Sequence, residues 1–183
     1  SARMQAGNRL LELKKRERFS EDYLKRLVVH EIGTHALRGE NGALQPLQIF
    51  KNGFPSYLDA EEGLAVYNEY QAGLLTNSIL RNYAGRVIAI DTASKAGFKE
   101  TYDELRKHFS QKTAWKLTVR AKRGLKDTSK PGAYTKDAVY LRGFITILQF
   151  AKNHDPCELY SGKIGPKDLP ALKTIPGLKK PKH

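Results

Sequence analysis

Residues 20–36 read Ser-Glu-Asp-Tyr-Leu-Lys-Arg-Leu-Val-Val-His-Glu-Ile-Gly-Thr-His-Ala and contain both a helix start and a pair of histidines. Ser20 is a good N-cap, and the two acidic residues that follow it suit the positive first turn of a helix. Apolar side chains then recur at helical spacing, at Leu24, Leu27, Val28 and Ile32. The stretch therefore predicts a helix that carries residues 30–35, within a mainly helical fold.

The two histidines, His30 and His35, form a His-Glu-x-x-x-His pattern with Glu31. Zinc peptidases need two imidazoles, a further ligand and a carboxylate that takes a proton from water, and the common motif places its histidines four residues apart. Five steps leave these side chains about 140° apart on an ideal helix, so they reach one ion only if the helix deforms. A π-bulge absorbs one extra residue, and Gly33 makes that distortion cheaper. The alternative is two ordinary histidines on different helix faces.

A third ligand is available in residues 59–65, Asp-Ala-Glu-Glu-Gly-Leu-Ala, where the sequence predicts the next helix. In His-His-Glu zinc sites the glutamate lies on the following helix, and Glu62 has that position here. Adjacent helical residues point about 100° apart, so Glu61 and Glu62 are not both expected to face one ion. Asp59 and Glu62 also have the spacing of a capping box, in which Glu62 bonds to the backbone amide of Asp59 instead.

The rest of the chain predicts a mainly α fold with at most a small β-sheet or hairpin near the N-terminus, within residues 9–18. Glycine, asparagine and proline predict a long loop over residues 39–58. Apolar spacing predicts further helices at about 77–90, 97–109, 112–123 and 136–152. We expect one catalytic domain over residues 1–183, in which residues 156–183 form an irregular basic tail.

The 183-residue chain carries a formal net charge of +13, with a pI near 9.8. This charge favours an acidic partner, such as nucleic acid, an anionic membrane surface or an acidic polypeptide. No apolar run is long enough to cross a bilayer, no secretory signal is evident, and Cys157 has no second cysteine to pair with. We therefore expect a soluble cytoplasmic protein that does not associate with membranes.

Several motifs, in order over residues 19–150, resemble the microtubule-associated tyrosine carboxypeptidases and their microbial relatives. The motifs are His-Glu-Ile-Gly-Thr-His-Ala-Leu-Arg at 30–38, Asn41, Gln45-Pro46, Glu-Glu-Gly-Leu-Ala at 61–65, Arg-Ala-Lys-Arg-Gly at 120–124, Asp-Thr-Ser-Lys-Pro-Gly at 127–132 and Lys-Asp-Ala-Val-Tyr-Leu at 136–141. Microbial members have Gln-Glu-Gly-Leu-Ala, so Glu61 departs from that pattern. The family domain normally has more sequence upstream, so part of the substrate cleft is expected to precede Ser1.

The resemblance implies a zincin-like fold and a zinc metallopeptidase of the carboxypeptidase type. It implies that His30, His35 and Glu62 bind one zinc ion per chain and that Glu31 is the general base. Eukaryotic members of the family remove the C-terminal tyrosine of α-tubulin. Microbial relatives occur where tubulin does not, so the resemblance implies a peptide or protein C-terminus as the substrate without identifying it.

An exopeptidase also needs a fixed cation to capture the terminal carboxylate, and arginine suits this because its guanidinium binds bidentately. Arg120, Lys122 and Arg123 are the candidates, and the alternative is a solvated basic helix end. Tyr140 is a candidate for stabilising the oxyanion, and its alternative is a core tyrosine.

Three other functions remain open from the sequence. A non-enzymatic basic module would bind nucleic acid or another polyanion, although no nucleic-acid motif is visible. A purely structural zinc site would usually have four protein ligands that include cysteine, and Cys157 is the only cysteine. An inactive relative would keep the fold without the reaction.

Overall fold

A computed structural model describes residues 2–5, 10–13, 18–55, 57–172 and 174–182. The chain folds into two compact units: a first unit of residues 1–75 and 142–183, and a second unit of residues 76–141. The predicted mainly helical fold is confirmed. One catalytic domain over residues 1–183 stays a prediction. Among the described residues, no helix is both long and apolar enough to span a bilayer.

The first unit opens with a small hairpin near the N-terminus, as predicted, but its first strand precedes the predicted range of residues 9–18. Strands β1 (Ala2–Gln5) and β2 (Leu10–Leu13) pair in the antiparallel direction, with Ala2 opposite Leu13 and Gln5 opposite Leu10. The second half of the range predicted to be extended, residues 14–17, lies outside the described residues.

A long helical segment follows the hairpin, with three consecutive parts: α1 (Glu21–Leu27), a π-helix (Val28–Ala36) and α2 (Leu37–Ala43). The predicted helix start is confirmed, because the Ser20 hydroxyl accepts a hydrogen bond from the Tyr23 amide at 3.2 Å. The backbone at each junction keeps right-handed helical dihedral angles, so the chain does not break between the parts.

The predicted continuous loop over residues 39–58 is wrong, because helices occupy parts of this range. Helix α2 continues to Ala43, and a short helix α3 (Ile49–Asn52) follows. Gly42 does not end α2; its missing side chain allows α3 to pack closely, since a Cβ atom there would clash with the Phe50 carbonyl. A glycine in this case marks a close approach rather than a loop.

The next helix, α4 (Tyr57–Gln71), begins two residues before the predicted cap. Asp59 lies inside α4, where its two carboxylate oxygens accept hydrogen bonds from Arg142 at 2.8 and 2.7 Å. The capping box is therefore not formed, and Glu62 is available for another role.

The predicted irregular tail instead belongs to the core of the first unit. It contains a 3₁₀-helix (Pro156–Ser161) and helix α9 (Leu169–Leu172). Apolar side chains from this segment are buried with residues of α3, α4 and the end of the chain's last long helix: Phe50, Ala60, Leu64, Ile147, Leu159, Tyr160, Ile164 and Leu172. The proline and glycine content predicted irregular backbone, but burial depends on the apolar residues between them.

The second unit contains helices α5 (Asn77–Lys95), α6 (Phe98–Arg106) and α7 (Gln111–Lys122), a 3₁₀-helix (Thr135–Ala138) and the first residues of α8 (Val139–Phe150). All four predicted helices exist, with ends displaced by up to five residues. Thr76 and Ser110 cap α5 and α7 through their hydroxyls. This unit has its own core: Ala89, Ala93, Leu105, Ala114, Leu117 and Ala121.

Candidate metal centre

The π-helix brings together two histidines that an α-helix would separate. The rings of His30 and His35 lie with centroids 4.9 Å apart and planes at 76°. The predicted deformation of this helix is confirmed, and it extends over nine residues rather than a single bulge. Gly33 is not sterically required, since a Cβ atom there would only reach ordinary contact with the Val28 carbonyl at 3.7 Å.

The carboxylate of Glu62 on α4 faces both imidazoles. Its Oε2 lies 3.5 Å from His30 Nε2 and 3.7 Å from His35 Nε2. Among the described residues, this buried oxygen has no hydrogen-bond partner. A tetrahedral zinc ion with bonds of about 2.0–2.2 Å keeps its ligand atoms roughly 3.3–3.6 Å apart. The two nitrogen-to-oxygen separations, 3.5 and 3.7 Å, lie close to this range, and the three ligand atoms lie within 4.8 Å of one another. Two imidazole nitrogens and one carboxylate oxygen are ligands that zinc prefers, so the residues present fit this ion.

Each histidine has a buried glutamate behind it, on the ring nitrogen that faces away from Glu62. His30 Nδ1 lies 2.7 Å from Glu69 Oε1, and His35 Nδ1 lies 2.9 Å from Glu61 Oε1. An ionised carboxylate only accepts, so Nδ1 carries a proton in each ring, and a ring in its neutral form would have its lone pair on Nε2. Such partners orient metal-binding histidines and fix their tautomer.

The carboxylate of Glu69 has a distant cationic partner. Glu69 is 1% exposed, and its Oε2 lies 3.7 Å from Arg26 Nη1 and forms no hydrogen bond within the described part of the chain. Burial lowers the pKa of His30, but the negative charges of Glu62 and Glu69 and the hydrogen bond with Glu69 raise it by more, so that it lies at about 9. Without a metal ion, this histidine therefore takes up a proton that balances two carboxylates.

The carboxylate of Glu61 has a close cationic partner. Arg38 Nη1 donates to Glu61 Oε2 at 2.5 Å, and the Arg38 side chain is fully buried. Burial raises the pKa of Glu61, but the charge of Arg38 and the hydrogen bond from His35 lower it more, so Glu61 stays ionised. Glu61 thus supports His35 from behind, which agrees with the expectation that it does not share an ion with Glu62.

Glu31 follows His30 on the π-helix and is partly exposed. In the described ranges, its carboxylate forms no hydrogen bond and no ion pair. It is therefore available to exchange protons with water or with a bound peptide.

The other predicted site residues lie in the second unit. Arg120 donates through Nε and Nη2 to Asp137, and Arg123 Nη2 donates to the same carboxylate at 3.2 Å. Both arginine side chains remain more than a third exposed. The Tyr140 ring stacks on Tyr83, with centroids 5.2 Å apart.

Lys122 differs from its two neighbours. It is 1% exposed, and its ammonium group donates to the carbonyls of Ala93, Ala96 and Lys130 at 3.0, 2.5 and 2.7 Å. Three acceptors use all three N–H donors of a lysine. These contacts give Lys122 a structural role inside the second unit and leave no donor for a substrate, so we do not propose it as a substrate-binding residue.

Sequence reasoning missed Glu69 and Arg38. Glu69 follows Glu62 by seven residues, so two turns of α4 place both side chains on one face, and this spacing could have identified it. Arg38 lies three residues after His35, but its role depends on partners far away in the chain, which no local pattern reveals.

Comparisons with known proteins agree with the resemblance found in the sequence. The family described as microtubule-associated tyrosine carboxypeptidase matches residues 1–179. A mouse protein named putative tyrosine carboxypeptidase MATCAP2 is 34% identical over 161 residues, which are 85% of this chain and 31% of that protein. Human microtubule-associated tyrosine carboxypeptidase 1 is 33% identical over 160 residues, which are 82% of this chain and 33% of that protein. The chain thus spans about a third of the length of the curated relatives it matches.

Proposed function

The chain belongs to the microtubule-associated tyrosine carboxypeptidase family, and on this premise we propose that it is a zinc-dependent carboxypeptidase acting on a peptide or protein C-terminus. The observation that carries the proposal is the convergence of His30 Nε2, His35 Nε2 and Glu62 Oε2 around one point. The three atoms match the open His-His-Glu zinc site of metallopeptidases, which leaves room for water or substrate.

Glu31 is the general base in this proposal. Zinc, when bound, lowers the pKa of water and polarises the peptide carbonyl. Glu31 takes the proton from the attacking water and passes it to the leaving amine, which releases the last residue of the substrate. The Nδ1–H group of the neighbouring His30 stays hydrogen-bonded to Glu69, so the tautomer of His30 does not change during this transfer.

The first test measures zinc and peptide cleavage on three proteins: the wild type, Glu31→Gln and His35→Ala. We expect about one zinc per chain in the first two and none in the third by elemental analysis. Glu31→Gln should lose about 10²- to 10⁴-fold in kcat for a peptide that ends in tyrosine, because only the base is removed. Glu21→Gln is the matched control, since Glu21 is an exposed glutamate of α1 that pairs only with Lys25 among the described residues.

Absence of zinc from every sample, with added zinc failing to bind the folded protein, would refute the proposal. In that case the high positive charge would make a polyanion-binding module the better explanation. Zinc without cleavage in the wild type would instead indicate the inactive relative.

Arg120 and Arg123 are proposed to bind the substrate's terminal carboxylate. Both side chains remain more than a third exposed although they share Asp137. Arg120→Gln and Arg123→Gln should raise KM for a peptide with a free C-terminus, because bidentate contacts are lost. The same peptide with an amidated C-terminus is the control, and it should be cleaved poorly by the wild type and no worse by the variants. An equal defect on both peptides would contradict carboxylate binding by these arginines. Tyr140 stays a prediction as the oxyanion donor.

A further inference from the structure

Arg38 joins the candidate metal centre to the C-terminal part of the first unit. Its Nε donates to the carbonyls of Leu159 and Gly162 at 3.1 and 3.0 Å, and its Nη2 donates to the carbonyl of Ile164 at 2.6 Å. The remaining contact, from Nη1, goes to Glu61. Three of its four acceptors therefore lie in one short segment, residues 159–164, more than 120 residues away along the chain.

These contacts fix the position of Glu61. A guanidinium is planar, so three carbonyls that bind two of its nitrogens also set the direction of the third. Arg38 is fully buried, so water does not compete for its donors. Arg38 binds Oε2 of Glu61, and the other carboxylate oxygen, Oε1, accepts a hydrogen bond from His35 Nδ1. The orientation of His35, and hence of its Nε2, follows from the placement of residues 159–164.

Tyr160 provides a second link from the same segment. Its hydroxyl donates to the Gly33 carbonyl inside the π-helix at 2.9 Å and accepts from Asn68 Nδ2 at 2.7 Å. Asn68 Nδ2 also donates to the Thr34 hydroxyl at 2.8 Å, which in turn donates to the Val29 carbonyl at 3.1 Å. Side chains thus satisfy carbonyls within the nine-residue π-helix, a conformation that is rare and seldom extends beyond a single turn.

We infer that residues 159–164 form a clamp that holds His35 in its metal-binding orientation, with Arg38 and Tyr160 as the positioning residues. The inference rests on the proposed function for its consequence, because the clamp matters to the reaction only if His35 binds zinc. Neither residue touches the substrate in this scheme; Arg38 acts through Glu61, and Tyr160 acts through the backbone of the π-helix.

The test uses Arg38→Met and Tyr160→Phe in the full 183-residue chain. The first variant removes the guanidinium and keeps an unbranched side chain as far as the position of Nε, and the second removes one oxygen atom. Two readouts are measured on each folded variant: the dissociation constant for zinc by competition with a chelating dye, and the NMR signal of the His35 Nδ1–H proton in zinc-free protein. We expect zinc affinity to fall about 10- to 100-fold in Arg38→Met and by the lower part of that range in Tyr160→Phe.

The His35 signal should exchange faster or disappear in both variants, because Glu61 and the π-helix no longer hold the ring. The matched controls in the same unit are Arg142→Met and Tyr67→Phe. The first removes the two hydrogen bonds that Arg142 donates to Asp59, and the second removes the Tyr67 hydroxyl that accepts from Gln71. Both controls should keep wild-type zinc affinity and the His35 signal. If Arg38→Met does not fold, Tyr160→Phe alone decides the question.

Folded variants that keep wild-type zinc affinity and the His35 signal would overturn the clamp. Weaker zinc binding with an unchanged His35 signal would also overturn it, since the loss would then come from general destabilisation. The NMR readout separates this inference from the proposed function. A wild type that binds no zinc would refute the metallopeptidase, whereas the Nδ1–H signal of its zinc-free form would still test the clamp.

Discussion

His30 and His35 both direct Nδ1 at a buried glutamate, but the two glutamates differ in what balances their charge. Glu61 has the fully buried Arg38 at 2.5 Å. Within the described residues, the arginine that pairs with Glu69 is Arg26, and the two groups lie 3.7 Å apart. A quarter of the Arg26 side chain is exposed to solvent. The pKa of His30 is raised to about 9 on the side where the cation is distant. In the metal-free protein, one glutamate is therefore balanced by a buried ion pair, and the other is balanced largely by the protonated ring of His30. The second proton of His30 would have to leave before this ring could bind a metal ion through Nε2.

The largest effect, on zinc affinity, should come from removing the histidines themselves, and it should be similar for the two. His30→Ala and His35→Ala each remove one of the three proposed zinc ligands. Both should therefore lower zinc affinity by more than the roughly 10- to 100-fold that a supporting partner contributes. Titration of each variant with zinc in the presence of a chelating dye checks this. If one variant kept most of its affinity, that histidine would not be a ligand and the two sides could no longer be compared as supports of one ion.

The two glutamates should differ in their effect on the free energy of unfolding. Glu61→Ala leaves the guanidinium of Arg38 buried without its carboxylate, and breaking a buried ion pair costs about 3–5 kcal/mol. At pH 10, where His30 is mostly neutral, Glu69→Ala leaves its Nδ1 without an acceptor, which costs about 1–3 kcal/mol, while Arg26 can be hydrated; the comparison is therefore made at this pH. Urea unfolding of both variants after zinc removal measures the difference. Equal losses would mean that Arg38 is no better a partner than Arg26.

The pH dependence should report on the His30 side. A folded pKa of about 9, raised from 6.5, means that the folded chain holds the proton more tightly than the unfolded chain. This stabilisation is complete below about pH 6.5 and is lost as pH rises toward 9, with at most about 3 kcal/mol at stake. Urea unfolding of zinc-free protein from pH 6 to pH 10 should show the loss in the wild type and a smaller loss in Glu69→Gln. The same slope in both proteins would exclude Glu69 as a cause of the raised pKa.

The contrast between the two sides also shows how far sequence reasoning reaches. His30, His35 and the need for a distorted helix follow from a spacing of five residues, and the mainly helical fold follows from apolar periodicity. Glu69 lies on the same face of α4 as Glu62, so it was accessible to the same reasoning. These features are all local, since each one depends on residues within a few turns of a single helix.

The support of His35 was not accessible in this way. Arg38 and Leu159 are 121 residues apart in sequence, and a proline- and glycine-containing stretch gave no sign that its carbonyls would hold a buried arginine. The sequence predicts a loop at Gly42, but this glycine allows α3 to approach α2. Such contacts depend on tertiary packing, which composition and periodicity do not reveal.

The smallest effect should come from Arg26. Its guanidinium lies beyond hydrogen-bond distance from Glu69, it is partly hydrated, and it also lies over the Tyr23 ring at 5.7 Å. A partly exposed ion pair contributes about 0–1 kcal/mol, and an exposed cation–π contact adds about 0.5–1 kcal/mol. Arg26→Gln should therefore lower the free energy of unfolding by about 0.5–2 kcal/mol.

A double-mutant cycle between Arg26→Gln and Glu69→Gln separates the ion pair from the ring contact. The coupling energy should stay below about 1 kcal/mol and should fall further at high salt, because screening acts on a pair that water reaches. A coupling energy between Arg26 and Glu69 as large as that of a buried ion pair would mean that Glu69, like Glu61, is held by a strong arginine partner. The raised pKa of His30 would then have to come from Glu62, the carboxylate that both histidines share.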